Sequence, residues 1–130
     1  MSGEHDLARL IATMEPILDP QRYVFATRAE ADGLPSIMRF EEAEGVTLIM
    51  TEAAAAEAGV DAVFPCRRIT LSVHSALDAV GFIAKVATRL AAAGMGVNPV
   101  AGYFHDHLFV PADRAEDAMA ILREMSDEAK

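Results

Sequence analysis

Ile69-Thr-Leu-Ser-Val-His-Ser-Ala-Leu-Asp-Ala-Val-Gly81 is the stretch of this sequence that decides the fold. Its first residues alternate between apolar and polar side chains, which predicts a half-buried strand with Ile69, Leu71 and Val73 on one face. A turn follows and leads into an amphipathic helix. Asn98-Pro-Val-Ala-Gly-Tyr-Phe-His-Asp-His-Leu-Phe-Val110 then predicts a strand, a hairpin and another strand.

Two helices of the second half each carry an apolar stripe that needs a sheet to cover. The first helix is expected to end at Gly94, and the second to begin after Asp113 as its cap and to give way to a polar tail, 126–130. The two stripes consist of Val80, Ile83, Val86, Ala87, Leu90 and Ala91, and of Ala118, Met119, Ile121, Leu122 and Met125. This half is one strand short of a ferredoxin-like βαββαβ unit, so a strand from the first half is expected to complete its sheet.

The first half opens with a short helix and continues as strands. An apolar stripe from Leu7 to Met14 predicts the helix, which Pro16 and a turn at Asp19-Pro20 should end. Turns at Asp32-Gly33 and Glu44-Gly45 should separate the strands that follow. The predicted strands are 23–27, 36–41 and 46–50.

A second short helix closes the first half. Thr51 is a suitable N-cap for Glu52–Ala58, and Gly59 should supply the left-handed stop. Pro65 is expected to break the chain. We therefore predict two lobes, residues 1–65 and 66–130.

The element order of the second half, with Asp-Ala-Val-Gly at the turn between strand and helix, resembles the ACT domain. Tyr23-Val-Phe25, Glu44-Gly-Val-Thr-Leu-Ile49 and His105-Asp-His-Leu-Phe-Val110 extend this resemblance to a small bacterial family of stand-alone tandem ACT proteins. The resemblance implies an α+β, ferredoxin-like fold of two ACT-like lobes that share strands, with antiparallel sheets and helices on one face. It also implies a regulatory module that binds amino acids.

The turn before the helix is the best candidate for a ligand site. Free N–H groups at a helix N-terminus suit a carboxylate, and the resemblance implies that Asp78 meets the ligand's amino group while Gly81 permits close approach. Edge groups of the strand at Asn98-Pro99 would complete the site. The predicted ligand-binding residues are Ser75, Asp78, Ala79, Val80, Gly81, Asn98, Pro99 and Val100. Alternatively, Ser75 or Asp78 only caps the helix, and Asn98-Pro99 only forms a turn.

Three polar residues near the end of the hairpin allow three interpretations, one of which is a direct polar role in ligand binding. His105 and His107 are two positions apart and flank Asp106, as in a metal site on a strand. The interpretation that we favour places His105 and Asp106 at the hairpin tip, with Asp106 in an Asx-type turn and the imidazoles bonded across it. No metal or other cofactor is therefore predicted.

Charge and composition exclude several classes of function. The net charge is −9, and residues 1–65 hold 12 acidic and 4 basic residues, so binding to nucleic acid through phosphate contacts is not expected. Cys66 is the only cysteine, which excludes an internal disulfide and fits a reducing cytoplasm. A lone cysteine is typical of a small buried side chain, and the alternative is a reactive thiol beside the cationic Arg67 and Arg68. No targeting segment or membrane span is predicted.

The sequence thus predicts a cytoplasmic, non-enzymatic sensor that binds an amino acid and forms a homodimer. The strand that contains Pro99 offers an edge for the dimer. One alternative is a protein-interaction module without a ligand. Another is a metal-dependent enzyme that uses His105, Asp106 and His107.

Overall fold

The computed structural model describes residues 3–130. Within that range the chain forms six strands, four α-helices and one 3-10 helix. They are, in chain order, α1 (Leu7–Thr13), β1 (Pro16–Arg28), β2 (Met38–Glu42), β3 (Gly45–Thr51), α2 (Glu52–Ala58), β4 (Val63–Leu71), α3 (Phe82–Ala92), β5 (Asn98–Ala101), β6 (Asp106–Pro111), the 3-10 helix (Ala112–Arg114) and α4 (Ala115–Glu128).

All six strands belong to one antiparallel sheet with the order β2-β3-β1-β4-β6-β5. The long strand β1 pairs with β3 on one side and with β4 on the other. It thereby supplies the strand that the second half lacks, which confirms the prediction of a strand shared between the halves. β5 lies at the edge, where a proline such as Pro99 removes no ladder hydrogen bond within the sheet.

Strand alternation separates the sheet into a face covered by helices and a face without them. Ile69 and Leu71 of β4 and Leu108 of β6 point to the helices and are fully buried together with side chains of α1, α3 and α4. A smaller cluster on the same face lies under α2. The opposite face carries an all-strand cluster of Tyr23, Ile49, Cys66 and Phe109. The predicted α+β fold with helices on one face is confirmed.

The short helices begin and end at capping residues. The side chain of Asp6 accepts a hydrogen bond from the Arg9 N–H at the start of α1. Thr51 accepts one from the Ala54 N–H at the start of α2, and Gly59 ends that helix with φ 67°. The predicted roles of Thr51 and Gly59 are confirmed.

Two predicted chain breaks are wrong. Asp19-Pro20 lies inside β1 and Pro65 lies inside β4. Both fall where the pairing of β1 with β4 shifts register, and Phe64 adopts a positive φ of 59° at the second shift. A bulge leaves a residue out of the ladder, so a proline fits there without losing a hydrogen bond. The proposed division between residues 65 and 66 thus falls within β4, and the two lobes stay a prediction.

Four boundary predictions in the second half also need correction. β4 ends at Leu71 and does not include Val73, and Val80, predicted to belong to the apolar stripe of the helix, is 85% exposed ahead of α3. Asp113 lies in the 3-10 helix and does not cap α4, whose N-cap is Arg114. Position 126, assigned to a polar tail, is a buried serine of α4 whose hydroxyl donates to the Ala12 carbonyl at 2.9 Å. Within residues 3–130, no helix is long and apolar enough to cross a membrane.

Candidate functional site

A cleft of about 300 Å³ lies between the segment that leads into α3 and the edge strand β5. The turn after β4 forms one wall together with the first turn of α3, while β5 and the start of β6 form the other. Its lining residues are Ser75, Ala76, Leu77, Ala79, Gly81, Phe82, Ile83, Ala84, Pro99, Ala101, Gly102 and Asp106. Its volume is at the small end of the range for ligand sites, which starts at ~300 Å³.

The structure brings four of the eight predicted ligand-binding residues together in this cleft. They are Ser75, Ala79 and Gly81 from the turn and Pro99 from β5. The turn and this strand therefore lie on opposite walls of one cleft. Whether these residues bind a ligand stays a prediction.

The other four lie outside the cleft lining. Asn98 and Val100 alternate with Pro99, so their side chains point to the helix-free face of the sheet, where Val100 packs against the Tyr23 cluster. Val80 is exposed, and Asp78 is exposed too. A ligand role for these four stays a prediction that the cleft itself does not support.

The N-terminal segment fixes the turn that forms the first wall. The Glu4 N–H donates to the His74 carbonyl at 2.8 Å, and the Ala76 N–H donates to the Glu4 carbonyl at 3.0 Å. Nε2 of His5 lies 2.7 Å from Oδ1 of Asp78. Asp78 is therefore occupied by a surface contact to the N-terminal segment.

The start of α3 has no side-chain cap. Its N-cap is Gly81, with φ 91°, so neither Ser75 nor Asp78 caps the helix, and that alternative is wrong. The first N–H groups of a helix have no partner within it, and here Phe82, Ile83 and Ala84 of that first turn line the cleft. The cleft therefore borders the positive end of α3.

Asp106 also lines this site, although it is not among the eight predicted ligand-binding residues. The prediction that Asp106 lies in a turn is wrong. The residue begins β6 and is only 8% exposed. The Ser75 hydroxyl donates to its Oδ2 at 3.1 Å. Burial raises the pKa of Asp106, although the Ser75 hydroxyl opposes this. A signal was present, since Asp106, Leu108 and Val110 alternate and must share the helix-covered face.

Both hairpin histidines bond to the chain around β4 instead of across the hairpin. Nδ1 of His107 lies 2.9 Å from the Thr70 hydroxyl, and Nδ1 of His105 lies 3.3 Å from the Val73 carbonyl. Burial lowers the pKa of His107, and the nearby Arg68 adds to this. Residues 3–130 contain no group of three or more His, Cys, Asp or Glu side chains placed to hold a metal ion.

Cys66 is a buried member of the helix-free cluster, as its single occurrence suggested. Its Sγ donates to the Tyr23 carbonyl at 3.3 Å. Burial raises the pKa of the Cys66 thiol to about 12, so the thiolate is not formed near neutral pH.

The ACT domain family matches the chain twice, over residues 2–67 and 63–124. A Vibrio cholerae protein of unknown function, described as a possible transport protein, is 39% identical with a TM-score of 0.84, and the alignment covers 92% of this chain and 95% of that chain. No curated protein matches the chain significantly.

Two more distant structures share the fold. An Agrobacterium tumefaciens protein is 16% identical with a TM-score of 0.69, over 87% of this chain and 89% of that chain. The regulatory subunit of aspartate kinase from Thermus thermophilus, in a ligand-free form, is 13% identical with a TM-score of 0.62, over 88% of this chain and 97% of that chain. At such identities the likeness concerns the fold.

Proposed function

Because this chain belongs to the ACT domain family, we propose that it is a non-enzymatic regulatory protein that binds a small molecule of the amino-acid class. The observation that most directly supports this proposal is the cleft between β5 and the start of α3, which has no side-chain cap. ACT domains are regulatory modules, and the aspartate kinase neighbour is itself a regulatory subunit. We place the protein in the cytoplasm, with which its one buried cysteine agrees.

The start of α3 provides one half of the recognition. Unpartnered N–H groups and the positive end of the helix dipole stabilise an anion, and every amino acid carries a carboxylate. Glycine at position 81 adds no side chain beside these groups. A carboxylate would therefore bind to backbone groups and need no basic side chain.

Regulation follows from the two walls of the cleft. A ligand shifts a conformational equilibrium only when it binds one state better than the other. A ligand in this cleft would touch the α3 turn and the edge of the sheet together. It would hold these two segments at one fixed spacing and favour the state that has this spacing.

Thermal unfolding with each of the twenty amino acids tests the proposal. A ligand at 100 times its Kd stabilises the folded state by ~2.7 kcal/mol, which is well within detection. We expect stabilisation by a subset of the amino acids and none by matched concentrations of sodium chloride. No stabilisation by any amino acid would contradict the proposal.

The loops that border the cleft favour a second, compatible role in assembly. Four large apolar side chains on these loops, at positions 77, 80, 103 and 104, are each more than half exposed. Large apolar patches are rare on the surfaces of monomeric proteins, and where they are exposed they are typical of interaction surfaces. We propose that a second copy of the chain covers them beside β5 and forms a homodimer.

Light scattering tests the homodimer directly, because the chain mass is 13.9 kDa. We expect twice this mass at micromolar concentration and a lower mass for a Tyr103→Ser, Phe104→Ser variant. A monomer mass for the unmodified protein would exclude the dimer. A dimer that responds to no amino acid would favour a protein-interaction module without a ligand.

A further inference from the structure

We propose that the ligand carries a cationic amine that binds Asp106, and that its side chain is small and apolar. This deepens the proposed function and rests on it. Family resemblance implied that Asp78 receives the amine, but Asp78 is exposed and bonded to His5. Asp106 is the charged side chain that borders the cleft.

Asp106 has one carboxylate oxygen available. Oδ2 accepts the hydrogen bond from the Ser75 hydroxyl. Within residues 3–130, Oδ1 accepts no hydrogen bond from another side chain or from the backbone, and this oxygen is not fully buried. More than nine-tenths of the residue is buried, yet it lines the cleft. A buried carboxylate with one neutral partner is incompletely compensated, and a cationic donor is the group that compensates it best.

The lining of the cleft supplies no cation for Asp106. None of the cleft-lining residues is basic. His107 is the next residue along β6, but its side chain points to the opposite face of the sheet, where it bonds to Thr70. His105 is bonded to the Val73 carbonyl. Neither imidazole lines the cleft, so a cation that contacts Asp106 from inside the cleft is one that the ligand brings.

The rest of the lining selects against a second negative charge. The start of α3 can hold one carboxylate, but an acidic side chain would share the small cleft with Asp106. The remaining walls are largely apolar, with Leu77, Phe82 and Ile83 on the helix side and Pro99 on β5. An uncharged amino acid with a small hydrocarbon side chain fits this arrangement of one anion, one row of N–H groups and apolar walls.

Calorimetric titration with valine, leucine, isoleucine and aspartate tests the inference, with 4-methylpentanoate as leucine without its amine. We expect one of the three apolar amino acids to bind most tightly. Aspartate and the amine-free acid should bind at least tenfold more weakly. This matches the ~1.5–3 kcal/mol of a hydrogen bond to a charged group.

Asp106→Asn keeps the shape of the side chain and removes its charge. It should weaken binding of the best amino acid by about tenfold or more. Asp113→Asn, at an exposed position away from the cleft, serves as the matched control and should bind normally. Unfolding midpoints of both variants establish that they are folded.

The outcomes separate this inference from the proposed function. Amino-acid binding that Asp106→Asn leaves unchanged, or that Asp78→Asn weakens instead, overturns the role of Asp106 alone. Equal binding of leucine and 4-methylpentanoate does the same. Tightest binding of aspartate overturns the apolar selectivity. Absence of binding by all twenty amino acids overturns the proposed function, and the inference with it.

Discussion

The Ser75 hydroxyl donates to Oδ2 of Asp106 at 3.1 Å, and both side chains are buried although the residues are 31 positions apart in the sequence. This bond connects the turn before α3 to the first residue of β6. It therefore joins the two walls of the cleft. The same bond also provides the carboxylate of Asp106 with its one partner among the side chains of residues 3–130.

Ser75→Ala should destabilise the protein by about 1–3 kcal/mol at neutral pH, because it leaves a buried acceptor unsatisfied. Denaturant unfolding with fixed slope measures the change. Ser36→Ala is a matched control, since Ser36 is exposed. Equal midpoints for the two variants would show that the Ser75 bond contributes nothing to stability.

The pH dependence of stability should report on Asp106. Burial raises the pKa of Asp106 in the folded protein, although the Ser75 hydroxyl and the two adjacent histidines oppose the shift. A carboxyl group whose pKa is raised by folding contributes stability below its unfolded pKa of ~3.9, and this contribution is lost as the pH rises through the folded pKa.

We therefore expect Asp106→Asn to become more stable relative to the unmodified protein as the pH rises from about 4 to neutrality. Unfolding free energies of both proteins across this range provide the measurement. Asp113→Asn should follow the unmodified protein at every pH. If the free energy of unfolding varies with pH in the same way for Asp106→Asn and the unmodified protein, burial does not shift the pKa of Asp106.

The contribution of Asp19 to stability should depend on pH in the opposite direction. Asp19 lies at the bulge of β1. Burial alone would raise its pKa, but hydrogen bonds from the Tyr23 hydroxyl, the Gln21 N–H and Arg68 lower it overall. The Arg68 contact is 2.8 Å, and the Asp19 side chain is 13% exposed. Its stabilising contribution is present above the unfolded pKa and lost as the pH falls through the lowered folded value.

Asp19→Ala should lower the free energy of unfolding by about 1.5–3 kcal/mol at pH 7, the range for hydrogen bonds to a charged group. The difference from the unmodified protein should shrink below about pH 4. Asp32→Ala tests the specificity of the effect, because the Asp32 side chain is 99% exposed. A cost as small as that of Asp32→Ala would mean that the bulge does not depend on this carboxylate.

Much of the fold could be predicted because its signals are local. Alternation from Ile69 to Val73 placed a strand, and Thr51 and Gly59 placed the ends of α2. The missing strand of the second half required a partner from the first half. The bulges of β1 and β4 were not predictable, since the register of a strand depends on its neighbour.

Only the parts of the candidate site that have local sequence signals were predictable. The turn before α3 and the strand after Gly94 were both recognised, but local turn preference assigned Asp106 to the hairpin tip. Its position is instead fixed by the buried partners Leu108 and Val110 on the same strand face. Its bond to Ser75 joins distant parts of the chain, which no local pattern reveals.

Gly81→Val should destabilise the protein through backbone conformation and not through a steric clash. Gly81 has φ 91°, in the region that favours glycine, and an added Cβ would meet only Cδ2 of Leu7 at 3.5 Å, an ordinary contact. A left-handed conformation costs other residues roughly 1–2 kcal/mol, and asparagine adopts it more readily than a β-branched residue does.

The free energy of unfolding should therefore fall more for Gly81→Val than for Gly81→Asn. Gly96→Val provides the matched control, because Gly96 has no positive φ and a Cβ there would meet no atom within 4 Å. Its cost should be small. If all three variants unfold at the same midpoint, the positive φ of Gly81 does not restrict which residue is tolerated at position 81. In that case a loss of amino-acid binding confined to Gly81→Val would come from the valine side chain blocking the start of α3.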